Sequence, residues 1–284
     1  MEFSLVVLLY AERRLQQALR YARFLAANTA PSRCVFVING DQITESAVRA
    51  LWSERYASEL IRHDNSGVEF GGYQAGIDRL SSALPDRLII LNDTLGTHDL
   101  MSEPMLSGFL RRLRFDLDRF VVGKIDDSHR RLTLDGLWAT RWIRSHLMGF
   151  DRSAIDAIDS RLYHPHIDAL IRPVGNVDAF FDRAIGAGVR ELISLFLFKP
   201  GPWSWYAAEP LNEANCAAMA VKARAILQEK YLSMKLESRD TAFWEAYLTR
   251  GDELRHRGSQ VVEFVARRLR FADQTRGGSR SRSS

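Results

Sequence analysis

Two cysteines in 284 residues, Cys34 and Cys216, stand far apart with no CxxC spacing, which excludes a disulfide framework and a cysteine-built zinc site. The expected compartment is the reducing cytosol. Long apolar runs are also missing. The run Leu5 to Leu9 is too short and too poorly flanked for a signal peptide, and no stretch approaches the ~20 apolar residues of a membrane span. Any membrane contact expected is peripheral. A concentrated charge is absent too: of the formal +4, three charges are Arg276, Arg280 and Arg282 in the tail Gln274 to Ser284, and subtracting them leaves +1 on the body. So neutral a body argues against nucleic acid as a partner. Finally, no G-x-G-x-x-G follows the first apolar run, where a dinucleotide-binding fold would need it.

What is present is an ordinary globular composition, 46% hydrophobic and 26% charged, enough to bury a full core. Phe3 to Leu9 reads as a buried strand and Glu12 to Ala27 as a helix, with Leu15, Leu19, Ala22 and Ala26 at helical spacing. Cys34 to Ile38 is a second strand ending at Asn39-Gly40-Asp41, followed by a helix from Thr44 to Leu60 with Val48, Leu51 and Trp52 inward. Ser58 to Arg62 reads as a short third strand, Tyr73 to Ala83 as the next helix and Arg87 to Leu91 as a fourth strand. This alternation predicts an α/β fold with a mainly parallel sheet covered on both faces.

The pattern then changes. Pro104 to Leu117 is helical, Phe120 to Gly123 is a short strand, and Leu132 to Phe150 alternates as strands and a hairpin would. Phe180 to Phe198 holds two helical pieces around Gly186 and Gly188, and Pro200-Gly201-Pro202 stops the second. From Asn212 the chain reads as helical, with the stripes Ala220, Ala223, Leu227 and Val261, Val265, Leu269. The expected organisation is one domain over residues 1–205, a helical extension over 206–273 and a tail, 274–284, whose Gly, Ser and Arg content will not pack.

Two stretches point to chemistry. His63-Asp64-Asn65-Ser66-Gly67-Val68-Glu69-Phe70-Gly71-Gly72-Tyr73 lies between a strand and a helix. There Gly71 and Gly72 would tolerate positive φ and the close approach of a diphosphate, or simply make a tight turn. Asn92-Asp93-Thr94 follows the buried run Leu88 to Leu91 and would place a carboxylate and two neutral oxygens at a strand tip. That set suits Mg²⁺ or Mn²⁺ bridged to phosphates, or ribose hydroxyls, and equally a β-turn or helix cap.

These two stretches resemble the pair "N-x-G-x-D-F-G-x-Y…G" and "hydrophobic-N-D-[ST]-x-x-G" of the rhamnan synthesis protein F family of glycosyltransferases. Trp142-Ile143-Arg144-Ser145-His146-Leu147-Met148-Gly149-Phe150 is similar to that family's "H-I-Q-S-Y-F-L-x-F", and Glu191-Leu192-Ile193-Ser194 to its "E-x-x-x-S". The resemblance covers roughly residues 60–200. It implies a GT-A-like fold and transfer of a sugar from a nucleotide-diphosphate donor, by the family name deoxythymidine-diphosphate rhamnose. The acceptor implied is a glycan or lipid-linked glycan of a bacterial surface polysaccharide, made at the inner face of the membrane. Glu69 stands where the family has Asp, and Trp142 and Arg144 replace its His and Gln.

The resemblance also implies site residues. Donor contacts fall on Asn65, Gly67, Glu69, Phe70, Gly71, Gly72, Tyr73, Asn92 and Thr94, and Asp93, with or without a divalent cation, on the departing diphosphate. Arg144 would pair with a phosphate or face solvent. Glu191 would be the base that takes the acceptor proton, or a carboxylate complementing the dipole of a helix running from it to Phe198. Asp126 and Asp127 are reserve bases, or turn formers. A catalytically silent nucleotide- or glycan-binding subunit is the alternative function, kept open by Trp142 and Arg144.

Three further clusters carry weaker expectations. His164-Pro165-His166 with Asp168 reads as a surface loop sooner than as a metal pair. Arg111, Arg112, Arg114 and Arg119 read as a solvated face sooner than as a dock for an anionic acceptor. A helix from Ser259 to Phe271, with Arg267, Arg268 and Arg270, would pack on the body or on a second subunit sooner than lie on a membrane.

Overall fold

Seven consecutive apolar or small residues, Phe3–Leu9, form β1, every one of them buried. A strand without a polar face must lie inside a sheet covered on both sides. The structure, a computed structural model, describes residues 1–52, 56–80, 84–96, 102–201 and 204–247, with residues 251 and 254. The elements follow as α1 (Glu12–Thr29), β2 (Arg33–Asn39), α2 (Glu45–Leu51), β3 (Ser58–His63), α3 (Val68–Leu80) and β4 (Arg87–Asn92). The second half holds α4 (Glu103–Leu113), the long β5 (Phe120–Leu134) and β6 (Leu137–Asp151), α5 (Arg152–Ala157), α6 (Pro165–Asp168), α7 (Val177–Phe180), α8 (Ala187–Leu197), α9 (Cys216–Glu237) and β7 (Ala242–Glu245).

The described strands form one sheet in the order β3-β2-β1-β4-β6-β5-β7. β3, β2, β1 and β4 pair in parallel, β6 is antiparallel to both its neighbours, and β7 runs parallel to β5. The mainly parallel α/β sheet is the one the strand-helix alternation predicts. One face buries Leu15, Leu19, Phe36, Ile89 and Phe109 under α1, α2 and α4. The other buries Val6, Val37, Phe70, Tyr73 and Ile90 under α3 and α5.

Local chemistry sets the element ends. Ala30 caps α1 in the left-handed region, and the Thr44 side chain accepts the Ala47 N–H at the start of α2. That helix ends at Leu51, well short of the expected Leu60, because the Glu59, Leu60 and Ile61 backbone pairs with Val35, Phe36 and Val37 on β2 instead. Sheet pairing overrides the helical pattern there. The Asp135-Gly136 pair, φ 49° and 76°, turns β5 into β6 as a two-residue hairpin with both residues left-handed.

A third core cluster lies under this hairpin, where Leu132, Leu134 and Ala139 meet Ile167, Ile193, Ala220, Ala223 and Leu227. The stripe read from Asn212 onward is thus the buried face of α9, and the chain after it returns to the sheet as β7. The stripe Val261, Val265, Leu269, the arginines Arg267, Arg268 and Arg270, and the tail from Gln274 lie outside the described residues. Among the described residues no helix is long and apolar enough to cross a membrane.

Candidate functional site

Parallel strands bring their carboxyl ends to one edge, and here those ends are Tyr10, Asn39, His63 and Asn92. In open α/β sheets this edge is where ligands are met. β4 pairs with β6 only as far as Leu91 to Leu147, so the β5–β6 hairpin beyond Leu147 projects past the edge. It forms a wall on one side.

The turn from β3 into α3 is built by polar side chains at two strand ends. Asn39, 3% exposed, donates through Nδ2 to Asn65 Oδ1 (2.9 Å) and to the Val68 carbonyl (3.0 Å), while its Oδ1 bonds His63 Nδ1 at 2.7 Å. The positive φ expected at Gly71 and Gly72 falls on Asn65 (68°), Gly67 (67°) and the β-branched Val68 (52°) instead. Gly71 and Gly72 are interior residues of α3. A Cβ on Gly71 would stand 1.8 Å from the Ser66 carbonyl oxygen, and one on Gly72 would stand 2.4 Å from Leu8 Cδ1. These glycines let α3 close on its own turn and on β1, and so do not form the diphosphate cradle. Phe70 is likewise a core residue, fully buried, with its ring 5.6 Å from that of Tyr73. Gly67 lies under the Tyr163 ring.

Tyr73 is the hub of the edge. Its hydroxyl donates to the Ser145 carbonyl on β6 (2.8 Å) and accepts from Asn92 Nδ2 (2.8 Å) at the end of β4. Asn92 Oδ1 in turn accepts from Thr94, both N–H and hydroxyl. Glu69 Oε1, one turn of α3 before Tyr73, accepts from Ser145 Oγ at 3.0 Å. Three separate stretches of sequence therefore meet through Tyr73, Asn92 and Ser145. Burial pushes the Glu69 carboxyl up, helped by Glu229 and Asp93 and opposed by Lys222 and the Ser145 hydroxyl. The residue itself stays partly exposed, and Asn65 beside it is exposed.

Asp93 is completely buried and raised by that burial, against the N–H groups of Ala11 and Tyr10 and the charge of Arg14. Its Oδ2 accepts from Tyr10 N (2.9 Å) and Ala11 N (2.7 Å), which fixes the turn from β1 into α1 where Ala11 offers no side-chain cap. Its Oδ1 has no hydrogen-bond partner, with Arg14 Nη1 3.7 Å away. One free oxygen faced by a guanidinium is a poor cation ligand, and among the described residues no three His, Cys, Asp or Glu side chains converge. Among the described residues the donor set at Asp93 does not fit a divalent cation. His98 and Asp99 lie outside the described residues.

The outer wall is charged and mutually engaged. Arg144 places Nε 2.7 Å and Nη2 3.2 Å from the two oxygens of Asp126, so the fork expected for a phosphate holds a carboxylate of its own chain. Glu229 on α9 accepts from Ser145 N (2.9 Å) and from Lys230 Nζ (2.9 Å), and Lys230 lies 3.6 Å over the Trp142 ring. Burial pushes Glu229 up, yet Lys230, Ser145 and Arg144 outweigh it and hold the carboxyl below its usual range. Trp142 and Arg144 are thus occupied within the chain.

Glu191 stands elsewhere. α8 begins at Ala187, so Glu191 lies in its second turn and does not open it, and its exposed carboxylate pairs with Arg130 on β5. Arg130 falls between Asp127, paired with Arg141, and Leu132, paired with Ala139. That is six to eight residues along β6 from Leu147, or roughly 20–26 Å at ~3.3 Å per residue. Asp126 and Asp127 are strand residues beside a register shift of β5 and not a turn. His164 is buried, is the N-cap residue of α6 and packs edge-on against Tyr231, with Nε2 on the Arg161 carbonyl, while His166 is exposed on α6 and pairs with Asp135, so the surface reading holds for His166 and not for His164. In the basic stretch Arg111, Arg114 and Arg119 are exposed, as a solvated face would be, with Arg114 bonded to the Asn28 carbonyl and Arg119 to the Arg239 carbonyl, while the half-buried Arg112 lies over Trp244.

Sequence reasoning passed over Tyr10 and Asn39 as site members, although each is the polar residue that ends an apolar run. Glu229 and Lys222, on a helix more than a hundred residues later, carry no such signal.

No protein-family model matches the chain, and no curated protein does. Among solved structures it is similar to the inositol-1-phosphate CTP transferase from T. maritima, with 8% identity over 56% of this chain and 74% of that one and a TM-score of 0.36. It is also similar to the mannosyltransferase PcManGT from Pyrobaculum calidifontis in complex with GDP-Man and Mn²⁺, with 14% identity over 84% and 73% and a TM-score of 0.38. A third is the galactosyltransferase LgtC in complex with donor and acceptor sugar analogs, with 12% identity over 53% and 58% and a TM-score of 0.33.

Proposed function

We propose that this chain transfers a sugar from a nucleotide-diphosphate donor to a hydroxyl of a glycan acceptor. The observation that carries the reading is the meeting of Glu69, Tyr73, Asn92 and Ser145 at the carboxyl edge of the parallel strands, since those residues come from three of the four stretches on which the family resemblance rests. The donor lies over the turn Asn65 to Glu69, with deoxythymidine-diphosphate rhamnose the first donor to test and a bacterial surface polysaccharide the acceptor class.

Transfer forms a bond from the acceptor oxygen to the sugar carbon while the bond from that carbon to the diphosphate breaks, and the diphosphate leaves with the electron pair. The acceptor proton must go to a base, and Glu69 is the group we assign. Its raised basicity comes from burial, and the Ser145 hydroxyl orients it. The starts of α1 and α3 supply positive potential for the diphosphate. Asp93 acts as a positioning residue, holding the first of those helix starts in place.

A silent nucleotide- or glycan-binding subunit is the second reading. What favours it is the internal engagement of Trp142 by Lys230 and of Arg144 by Asp126. A transfer assay with a panel of nucleotide-diphosphate sugars, run on the wild type and on Glu69→Gln, separates the two. The enzyme reading requires turnover in the wild type and a loss of at least about a hundredfold in the variant, with donor binding retained. Donor binding without turnover in either protein would move the chain to the second reading.

A further inference from the structure

A cavity of about 520 Å³, separate from the strand ends, is lined by Arg172, Asp178, Phe181, Asp182, Arg183 and Arg190. Its size is that of a small-molecule site, but only Phe181 among the six is apolar. Three guanidiniums drawn from nineteen residues of chain share one hollow against two carboxylates. Their own bonds show how each is held.

Arg172 Nη2 is 2.8 Å from Asp182 Oδ2, and Asp182 Oδ1 accepts the Ala184 N–H at 3.0 Å. The Ala184 N–H, and after it Arg172, keep that carboxyl below its usual range, so it stays an anion and neutralises Arg172. Arg190 is braced on backbone: Nε donates to the Ile185 carbonyl at 2.6 Å and Nη2 to the Asp182 carbonyl at 3.1 Å. Carbonyl oxygens fix the guanidinium but remove none of its charge. Arg183 makes no hydrogen bond to the described residues. Arg183, exposed and acting on Asp182 only through its charge, and Arg190 are otherwise opposed by Asp178, an exposed residue of the short α7.

We infer that this cavity binds the phosphate group of a phosphorylated small molecule between Arg183 and the braced Arg190. A guanidinium fork matches two phosphate oxygens at once, and a fork already held by backbone loses little freedom on binding. An uncharged ligand would leave Arg183 unmatched, and an apolar one would find too little wall.

The test is isothermal titration of the full-length chain with inorganic pyrophosphate, repeated on Arg183→Gln, Asp178→Asn and, as a control at the strand ends, Asn65→Gly. Arg183 is exposed and makes no hydrogen bond to the described residues, so its variant is expected to fold as the wild type does. The inference expects a binding component that weakens at least about tenfold in Arg183→Gln, tightens in Asp178→Asn where the opposing charge is gone, and persists in Asn65→Gly, which removes only a component at the strand ends. A second arm, vesicles containing phosphatidylglycerol, decides the source of the phosphate. Vesicle binding that pyrophosphate displaces and Arg183→Gln abolishes places the phosphate on a lipid headgroup, and its absence leaves a free phosphorylated compound. No binding of pyrophosphate, or binding lost in Asn65→Gly and kept in Arg183→Gln, overturns the inference.

Discussion

Replacing Tyr73 by Phe removes one oxygen and almost no volume, so its effect isolates the hydrogen bonds at the centre of the site. Tyr73 is fully buried, Asn92 is 3% exposed and Ser145 is 7% exposed. Water therefore has little access to the groups left behind. The lost hydroxyl strands the Asn92 Nδ2 donor and the Ser145 carbonyl, both at 2.8 Å in the wild type. Each unsatisfied buried group costs about 1–3 kcal/mol, and since the Ser145 carbonyl keeps a second lone pair, the sum falls at about 2–4 kcal/mol. In a chain of this size that lowers Tm by about 5–10 °C. Urea denaturation of the wild type, Tyr73→Phe, Asn92→Ala and the double variant measures the loss and the coupling. Asn92→Ala should cost about 1–2 kcal/mol less in the Phe background, because its amide is already stranded there. A loss under 1 kcal/mol with additive singles would refute the claim that Tyr73 joins α3, β4 and β6.

Two other perturbations follow from the geometry. Gly71→Ala should destabilise by about 3 kcal/mol or more in the same urea assay, since the added Cβ meets the Ser66 carbonyl oxygen at 1.8 Å, whereas Gly136→Ala, with open space and φ 76°, should cost only about 1–2 kcal/mol for its left-handed backbone. His164 is lowered from 6.5 to about 4, first by burial and then by Lys235 and His166. The unfolded chain binds the proton more readily, so this contribution is whole above pH 6.5 and is lost as pH falls toward about 4. The wild-type stability minus that of His164→Gln, followed by urea denaturation across this range, should therefore fall by an amount on the order of 3 kcal/mol. A pH-independent difference would contradict the assignment.

The front of the fold was legible because its strands are buried on both faces. Phe3–Leu9, Arg33–Asn39 and Arg87–Asn92 announce themselves as apolar runs, and the polar residues that stop them are the residues of the carboxyl edge. The glycines were misread for a physical reason. In sequence, Gly71-Gly72 looks like a flexible turn, but the turn is made four residues earlier by Asn65, Gly67 and Val68, and the pair instead relieves contacts of α3 with Ser66 and Leu8. The long hairpin was only half visible, since register shifts after Gly123 and Asp127 break its alternation. Glu229 and Lys222 reach the site only through the packing of α9 across β6, a tertiary fact with no local signature.

The most direct test of the central claim is thermal stabilisation of the full chain by a panel of nucleoside diphosphates and their sugars, on the wild type and on Asn65→Gly. That variant keeps a residue at ease with the φ of 68° and removes only the amide. At ~100 times its dissociation constant a ligand adds ~2.7 kcal/mol to folding. The account predicts stabilisation by one nucleotide family that is lost or sharply reduced in Asn65→Gly. Stabilisation by none of them, or equal stabilisation of both proteins, would contradict it.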